Sequence, residues 1–381
     1  MYEAEYQNLL ALLARAIGVD NGARVTTDPK ILCALAKKHS VTNLLYAAVK
    51  GDSGFPASLL FALERELFAT AHQQLLQDQA AERLFATLRK ESIPFLPMKG
   101  IVMRPLYPTP ELRVSCDVDV LYDKRYRRQV DGLMCSLGYT RGASDPNHDE
   151  YHAPPCVAIE MHRNLLSDVK TVDRYYANIW ERLVVVDGSE YRMSDEDFYI
   201  YQTVHTMKHF IGGGTGIRSV LDTFIYLQKK PMLDRAYLAR ELDKLRLRPF
   251  HEMLERLANV WFGGEDMPKE LAPISDYILG SGTYGLATQK AANRAARARG
   301  GKVGYAFSRA FPSYHFMAEK YPTLRRVPLL LPFFWIGRLL RATFGAKGQA
   351  KGELTALRAS DAEQAAQLDA VMRAVSLDGY R

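Results

Sequence analysis

Up to about residue 92 the apolar positions recur at helical spacing; beyond it they collect into short runs. Leu9, Leu10, Leu12, Leu13 and Ile17 form one helical set, and Leu32, Leu35, Leu44 and Leu45 mark a second stretch from Ile31 to Val49. No Gly or Pro interrupts Ala57 to Leu88, a run rich in Ala, Leu, Glu and Gln that predicts one long helix. Its leucine and aromatic stripe reads as core.

The pattern switches at Ile93. Ile-Pro-Phe-Leu-Pro-Met leads into a Lys99-Gly100 corner, and a second apolar run follows as Arg113-Val-Ser-Cys-Asp-Val-Asp-Val-Leu-Tyr122. Both runs have the length of a buried strand. Asp117 and Asp119 are two apart, so in a strand both carboxylates leave from one face. Lys124 to Leu137 predicts a helix closed by Gly138. Asp145 to His152 reads as a polar loop, whose His148, Asp149, Glu150 and His152 could bind metal but lack ligand spacing. Val157 to His162 reads as a short strand with Glu160 and His162 on one face, and Leu183 to Met193 as a hairpin turning at Asp187-Gly188.

Ser194 and Asp197 have the spacing of a helix cap. Beyond them Tyr201, His205 and His209 share one helix face, and Lys208 lies beside them. Packing against a neighbouring helix accounts for that spacing as well as a cleft does. Glycines 212, 213, 214 and 216 break the helix. The next begins at Ile217, with Arg218 and Asp222 one turn apart and able to pair. The expected organisation is an α+β chain: a helical region at 1–92, a small mixed-sheet core at 93–193, a helical domain at 194–320, and a tail with a terminal helix at 321–381.

Composition adds two constraints. With 48% hydrophobic and 24% charged residues over 381 positions, the chain has material for several folded domains and little for disorder. Cys33, Cys116, Cys135 and Cys156 show no CxxC spacing, which fits a reducing cytoplasm, and the N-terminus lacks a signal-peptide pattern. Charge is uneven: from Tyr277 to Gly352 thirteen Lys and Arg face one acid, Glu319, so +12 of charge lies there and −5 elsewhere. A basic C-terminal third suggests an anionic partner.

Two acids on one strand face repel unless a cation lies between them, and Asp is disfavoured in strands. Hard cations such as Mg²⁺ take oxygen donors of this kind together with substrate phosphates. The Asp117/Asp119 pair is therefore the candidate metal site.

The order of strand, glycine corner, strand with Asp-x-Asp, helix, and strand with a third acid resembles the minimal, polymerase-β-like nucleotidyltransferase fold. A bacterial group of uncharacterised nucleotidyltransferases is the closer likeness, on Met98-Lys-Gly100, Tyr107, Arg113, Asp117-Val-Asp119-Val-Leu, Gly138-Tyr139, Ile159-Glu-Met-His162 and Gly216-Ile-Arg218 with Leu221-Asp222. The Arg113-x-Ser115-x-Asp117-x-Asp119 run is similar to that of abortive-infection type II toxin nucleotidyltransferases. The resemblance implies an Mg²⁺- or Mn²⁺-dependent transfer of NMP from an NTP, with ATP the default donor and pyrophosphate released. It assigns metal to Asp117, Asp119 and Glu160. It turns Lys99, Gly100, Arg113 and Ser115 toward the triphosphate, with Lys208 and Arg218 contributing from the helical domain. Many members of the superfamily carry Gly-Ser or Gly-Gly at the corner; here the lysine supplies charge where they supply a hydroxyl. The acceptor could be a small molecule, a peptide, a protein or an RNA end.

Two other classes compete. A glycosyltransferase also uses Asp-x-Asp with a metal and a nucleotide sugar, but normally after a longer nucleotide-binding region. A non-catalytic binding protein could keep the fold. In the tail, Val327 to Gly337 is eleven uncharged residues flanked by Arg325, Arg326, Arg338 and Arg341. Eleven are too few to span a bilayer but suit a peripheral contact with an anionic membrane over 325–341. Alternatively, Pro328 and Pro332 shape an extended segment buried against the helical domain.

Overall fold

The computed structural model describes residues 3–145, 147–155, 157–165, 169–283, 307, 310–321, 323–344 and 362–380. These divide into two compact units, one of residues 1–207 and 216–275, the other of 208–215 and 276–381.

The first unit opens with helices α1 (Glu3–Ala16), α2 (Pro29–Lys38) and α3 (Thr42–Val49). Asp28 caps α2 by accepting from the Lys30 N–H, with Pro29 in the first turn, where its missing donor costs nothing. The uninterrupted helix-forming run becomes α4 (Ala57–Lys90), 34 residues long. The chain then builds β1 (Phe95–Pro97), α5 (Gly100–Met103), β2 (Val118–Tyr122), α6 (Arg127–Ser136), β3 (Thr140–Ser144), β4 (His148–Ala153), β5 (Val157–His162), α7 (Lys170–Tyr175), β6 (Val184–Asp187) and β7 (Glu190–Arg192). Among the described residues, these strands form one mixed sheet of order β3-β4-β5-β2-β1-β7-β6. The α+β class is thus as expected. The Asp187-Gly188 hairpin forms too, and β7 attaches it to the sheet parallel to β1.

Each central strand gives one face to the core. Phe95, Val118, Val120, Tyr122, Ile159 and Met161 bury against Ala81, Leu84, Phe85 and Leu88 of α4 and Val130, Leu133 and Met134 of α6. The opposite face is polar where β2, β5 and β4 run side by side, and it carries the candidate site.

Residues 145–152 depart from the expected loop: most of them form β4, the second strand of a hairpin. Asp149 points away from the polar face, is 1% exposed, and accepts from Arg141, Ser144 and Arg163. With charges on both faces the strand loses the apolar alternation that would reveal it.

After the Ser194 cap, whose Oγ accepts from the Asp197 N–H, come α8 (Asp195–Gly213), α9 (Ile217–Lys229), α10 (Arg235–Lys244), α11 (Arg248–Phe262) and α12 (Ala272–Ser281). Residues 208–213 of α8 belong to the second unit. That unit also holds α13 (Tyr314–Lys320), α14 (Thr323–Arg326), α15 (Leu331–Phe344) and α16 (Ala362–Ala374). Leu330, Leu331, Phe334 and Trp335 pack on buried Met317, Ala318 and Leu324. The extended segment expected here is replaced by a short 3-10 turn, Pro328–Leu330, and a helix with Pro332 near its start, where proline is tolerated. Leu329, Phe333 and Ile336 are exposed. Among the described residues no helix is long and apolar enough to cross a membrane. The basic run Lys290 to Lys302 lies outside the described residues.

Candidate active site

Strand pairing decides the geometry. β2 and β5 run parallel with Asp119 opposite Glu160, so the two carboxylates share the polar face. Asp117 lies just before β2, and one oxygen from each of Asp117, Asp119 and Glu160 falls within 4.8 Å of the others. On the other flank the Met98 N–H donates to the Asp119 carbonyl, which ties the corner after β1 to the acid-bearing strand.

That corner is tight. Lys99 has φ 46°, a left-handed conformation uncommon outside glycine and a mark of local strain. A Cβ on Gly100 would come within 2.5 Å of Ser115 Oγ and 3.3 Å of Ser115 Cβ, so only glycine allows this approach. Ser115 Oγ meanwhile donates to the Asp117 carbonyl at 3.2 Å. The lead-in to β2 is pinned from α4 as well: the buried Gln74 amide donates to the Arg113 carbonyl at 2.8 Å. Asn43 of α3 holds the Glu111 carbonyl at 2.7 Å. The N-terminal helices therefore fix the backbone that carries the acids.

Lys99 Nζ contacts Asp119 Oδ1 at 2.5 Å, and His162 Nε2 approaches the same oxygen at 2.8 Å. His162 Nε2 is also 3.2 Å from Glu160 Oε2. Burial alone would raise the Asp119 pKa, but the Lys99 ammonium and His162 reverse this and hold it well below the usual carboxylate range. The same contacts raise Lys99 and His162 against the effect of their burial. Asp117 has no such partner. Burial, then the Asp119 charge, push it up to about 6, with Lys99 and Arg218 only partly opposing.

The arginines divide. Arg113, expected at the phosphates, gives Nε and Nη2 to the two oxygens of buried Asp222, each at 2.8 Å, and Tyr107 Oη donates to the same carboxylate at 2.7 Å. Asp222 is thus taken by a residue far away in sequence rather than by Arg218 one turn away. Arg218 instead donates to the Val114 carbonyl at 2.8 Å, close enough to lower the Asp117 pKa. Lys208 and His209 fall in the second unit; His205 stays in the first, its ring 6.2 Å from that of Tyr201.

A model of the uncharacterised nucleotidyltransferase family matches residues 26–263, more than half of the chain, and takes in every site residue just described. The chain belongs to this family. No curated protein and no solved structure matches it. A nucleotidyltransferase must bind a polyanion, and the site meets one requirement for a cation beforehand: three carboxylates converge on charges that Lys99 and His162 only partly balance.

Tyr201 supplies a second sign that something is to be bound. Its hydroxyl is buried without a hydrogen-bond partner, and it lies within electrostatic reach of Lys99, Asp119, Glu160 and Asp117. An orphaned buried hydroxyl is costly, and beside a cluster of acids a bound ion or ligand oxygen is one explanation for it. A hydrated divalent ion or a phosphate oxygen fits that need and the converging carboxylates alike. The sequence placed Tyr201 on a helix face without marking it, because only the tertiary fold turns that face toward the acids. His148 was named in the sequence only within a loop cluster, because its strand did not read as one; the fold sets it instead beside Glu160 and His162.

Proposed function

We propose that the protein is a nucleotidyltransferase that transfers NMP from an NTP, by default AMP from ATP, to an acceptor hydroxyl or phosphate. The observation that supports this most is the in-register pairing of Asp119 with Glu160 beside Asp117. Asp117, Asp119 and Glu160 would hold Mg²⁺ or Mn²⁺. When bound, such ions neutralise charge on the phosphoryl oxygens and lower the pKa of an attacking hydroxyl.

The chain's own groups do the rest. The acceptor oxygen forms a bond to the α-phosphorus as the bond to the β-phosphate oxygen breaks, and pyrophosphate leaves. Glu160, on the neighbouring strand, would hold the metal that activates the acceptor hydroxyl or take its proton. Lys99, whose ammonium lies at Asp119 beside the glycine corner, would supply positive charge to the leaving phosphates. The Gly100 amide and Ser115 hydroxyl line the same corner, and Arg218 adds charge beside Asp117. Arg113 is reassigned: it anchors Asp222 and thereby the loop before β2.

The third acid opposite Asp119 favours this reading over a glycosyltransferase. Incubating the purified protein with labelled NTPs, Mg²⁺ and cell extract should give pyrophosphate and a labelled acceptor. No metal-dependent pyrophosphate from any NTP would leave a non-catalytic binding protein as the better account. On the second unit, exposed Leu329, Phe333 and Ile336 near Arg325 and Arg326 support a peripheral contact with anionic lipid. Co-sedimentation with phosphatidylserine vesicles but not neutral ones would bear it out.

A further inference from the structure

Glu160 has neighbours on both sides. Toward β2 stand the two aspartates; toward β4 stands the imidazole of His148, and two residues along β5 that of His162, neither of which the proposed transfer employs. His148 pairs directly with His162 across the β4–β5 ladder, so both rings rise from the polar face, stacked with centroids 5.0 Å apart and planes 30° from parallel. Both Nε2 atoms converge on one carboxylate oxygen: Glu160 Oε2 is 3.2 Å from His162 Nε2 and 3.9 Å from His148 Nε2. The three donors lie within 4.8 Å of one another.

These spacings are those of ligands around one ion. With metal–nitrogen and metal–oxygen bonds of about 2.0–2.1 Å, the donors of a tetrahedral centre lie roughly 3.3 Å apart. The His162–Glu160 separation already matches, and the 3.9 Å from His148 Nε2 to Glu160 Oε2 is about 0.6 Å longer. The donor types matter as much. Two imidazoles and a carboxylate are the set that zinc sites use while leaving a position open, whereas Mg²⁺ is served by oxygen. The adjoining Asp117/Asp119 pair is all oxygen, so the two halves of the face differ in the metal they prefer.

We propose that His148, Glu160 and His162 form a second metal site that takes a zinc-class divalent ion and shares Glu160 with the aspartate pair. When His162 Nε2 carries a hydrogen it donates to Asp119; the ion takes that hydrogen's place, and the proton leaves to solvent. Asp119 is then free to turn fully to its own ion. Glu160 is held between the two sites, its orientation fixed from the β4 side. This rests on the metal-binding part of the functional reading and not on transfer activity.

The test uses the untagged full chain, stripped of metal by a chelator and titrated with Co²⁺ as a spectroscopic stand-in for Zn²⁺. Wild type should bind one Co²⁺ with a visible absorption band that Zn²⁺ removes and excess Mg²⁺ does not. His148→Ala should weaken that binding by more than about 100-fold, while Asp117→Asn should leave the band in place. X-ray absorption of the Zn²⁺-loaded wild type should count two imidazoles, a readout that needs no variant. An unchanged Co²⁺ affinity in a folded His148→Ala protein, or a zinc shell without two imidazoles, overturns the proposal. Mg²⁺-dependent pyrophosphate release, measured separately, distinguishes this failure from failure of the nucleotidyltransferase reading: either can fall while the other stands.

Discussion

Two of the buried charge centres in the first unit are built from similar parts and are balanced very differently. In one, Arg113, Asp222 and Tyr107 form a closed set: one cation, one anion and one hydroxyl, with Arg113 bound through two nitrogens and Tyr107 through its oxygen. In the other, Lys99 and His162 face Asp119 while Asp117 and Glu160 stand beside them without full compensation, and the Tyr201 hydroxyl has no partner. A satisfied buried ion pair is a structural clamp. An unsatisfied one, with spare acids and an idle hydroxyl, is what a binding site looks like before its ligand arrives. The family places both centres within one matched region, yet only the unbalanced one has chemistry left to do.

The sharpest break of that contrast is at the acids. Asp117→Asn and Asp119→Asn should each cut metal-dependent pyrophosphate release by about 10³-fold or more, the scale of losing a charge-stabilising group. Their folding effects should differ. Asp117→Asn removes an uncompensated charge and should leave the metal-free protein as stable as wild type or more so. Asp119→Asn takes the partner from Lys99 and should destabilise it. Equal melting shifts for the two would erase the distinction drawn between paired and spare acids.

At the clamp the expected pattern inverts. Arg113→Ala leaves Asp222 buried and unpaired and should cost about 3–5 kcal/mol in denaturant unfolding. Replacing both partners by leucine should recover much of that loss. Whatever activity survives in the folded fraction of Arg113→Ala should show a near-normal KM for the NTP, since the guanidinium is taken up by Asp222. A raised KM with intact stability would return Arg113 to the triphosphate.

The pH response separates the centres again. Asp117 is raised to about 6 from an ordinary 3.8. A carboxylate raised on folding penalises the folded state where it is ionised: fully above about pH 6, and not at all below about 4. The stability advantage of Asp117→Asn over wild type should therefore be greatest above pH 6, on the order of 2 kcal/mol, and fade as pH falls toward 4. Metal should reverse the sign, because it binds only the ionised form. A pH-independent difference between the two metal-free proteins would show that Asp117 is not strained by its surroundings.

Much of this was readable along the chain. The helix α4 and the strands β1, β2 and β5 follow from apolar runs and breaks, and Asp-x-Asp puts its acids on one face by the pleat alone. What depends on distant pairing was not readable. Arg113 meets Asp222 across 109 positions, whereas local spacing offered Arg218 as the partner. β4 was hidden because its side chains serve an ion-pair cluster on one face and the site on the other. Hydrophobic alternation reports burial, so it is silent where a strand is buried by polar contacts.

The smallest expected effect falls on the idle hydroxyl. Tyr201 is 1% exposed and keeps its ring packed near Phe198 and His205, so Tyr201→Phe should preserve the fold. In the metal-free protein it removes a buried oxygen that has no partner, and stability should rise by about 1 kcal/mol. With metal and NTP bound, the same change deletes a donor to the ligand, and turnover should fall by about three- to tenfold. The opposite signs carry the argument. A hydroxyl that merely packs would give the gain without the loss of turnover, and one satisfied by an ordered water in both states would lower stability when removed. Melting curves with and without Mg²⁺ and a non-hydrolysable ATP analogue would tell these apart, since only a ligand-facing hydroxyl makes the variant's advantage vanish on binding.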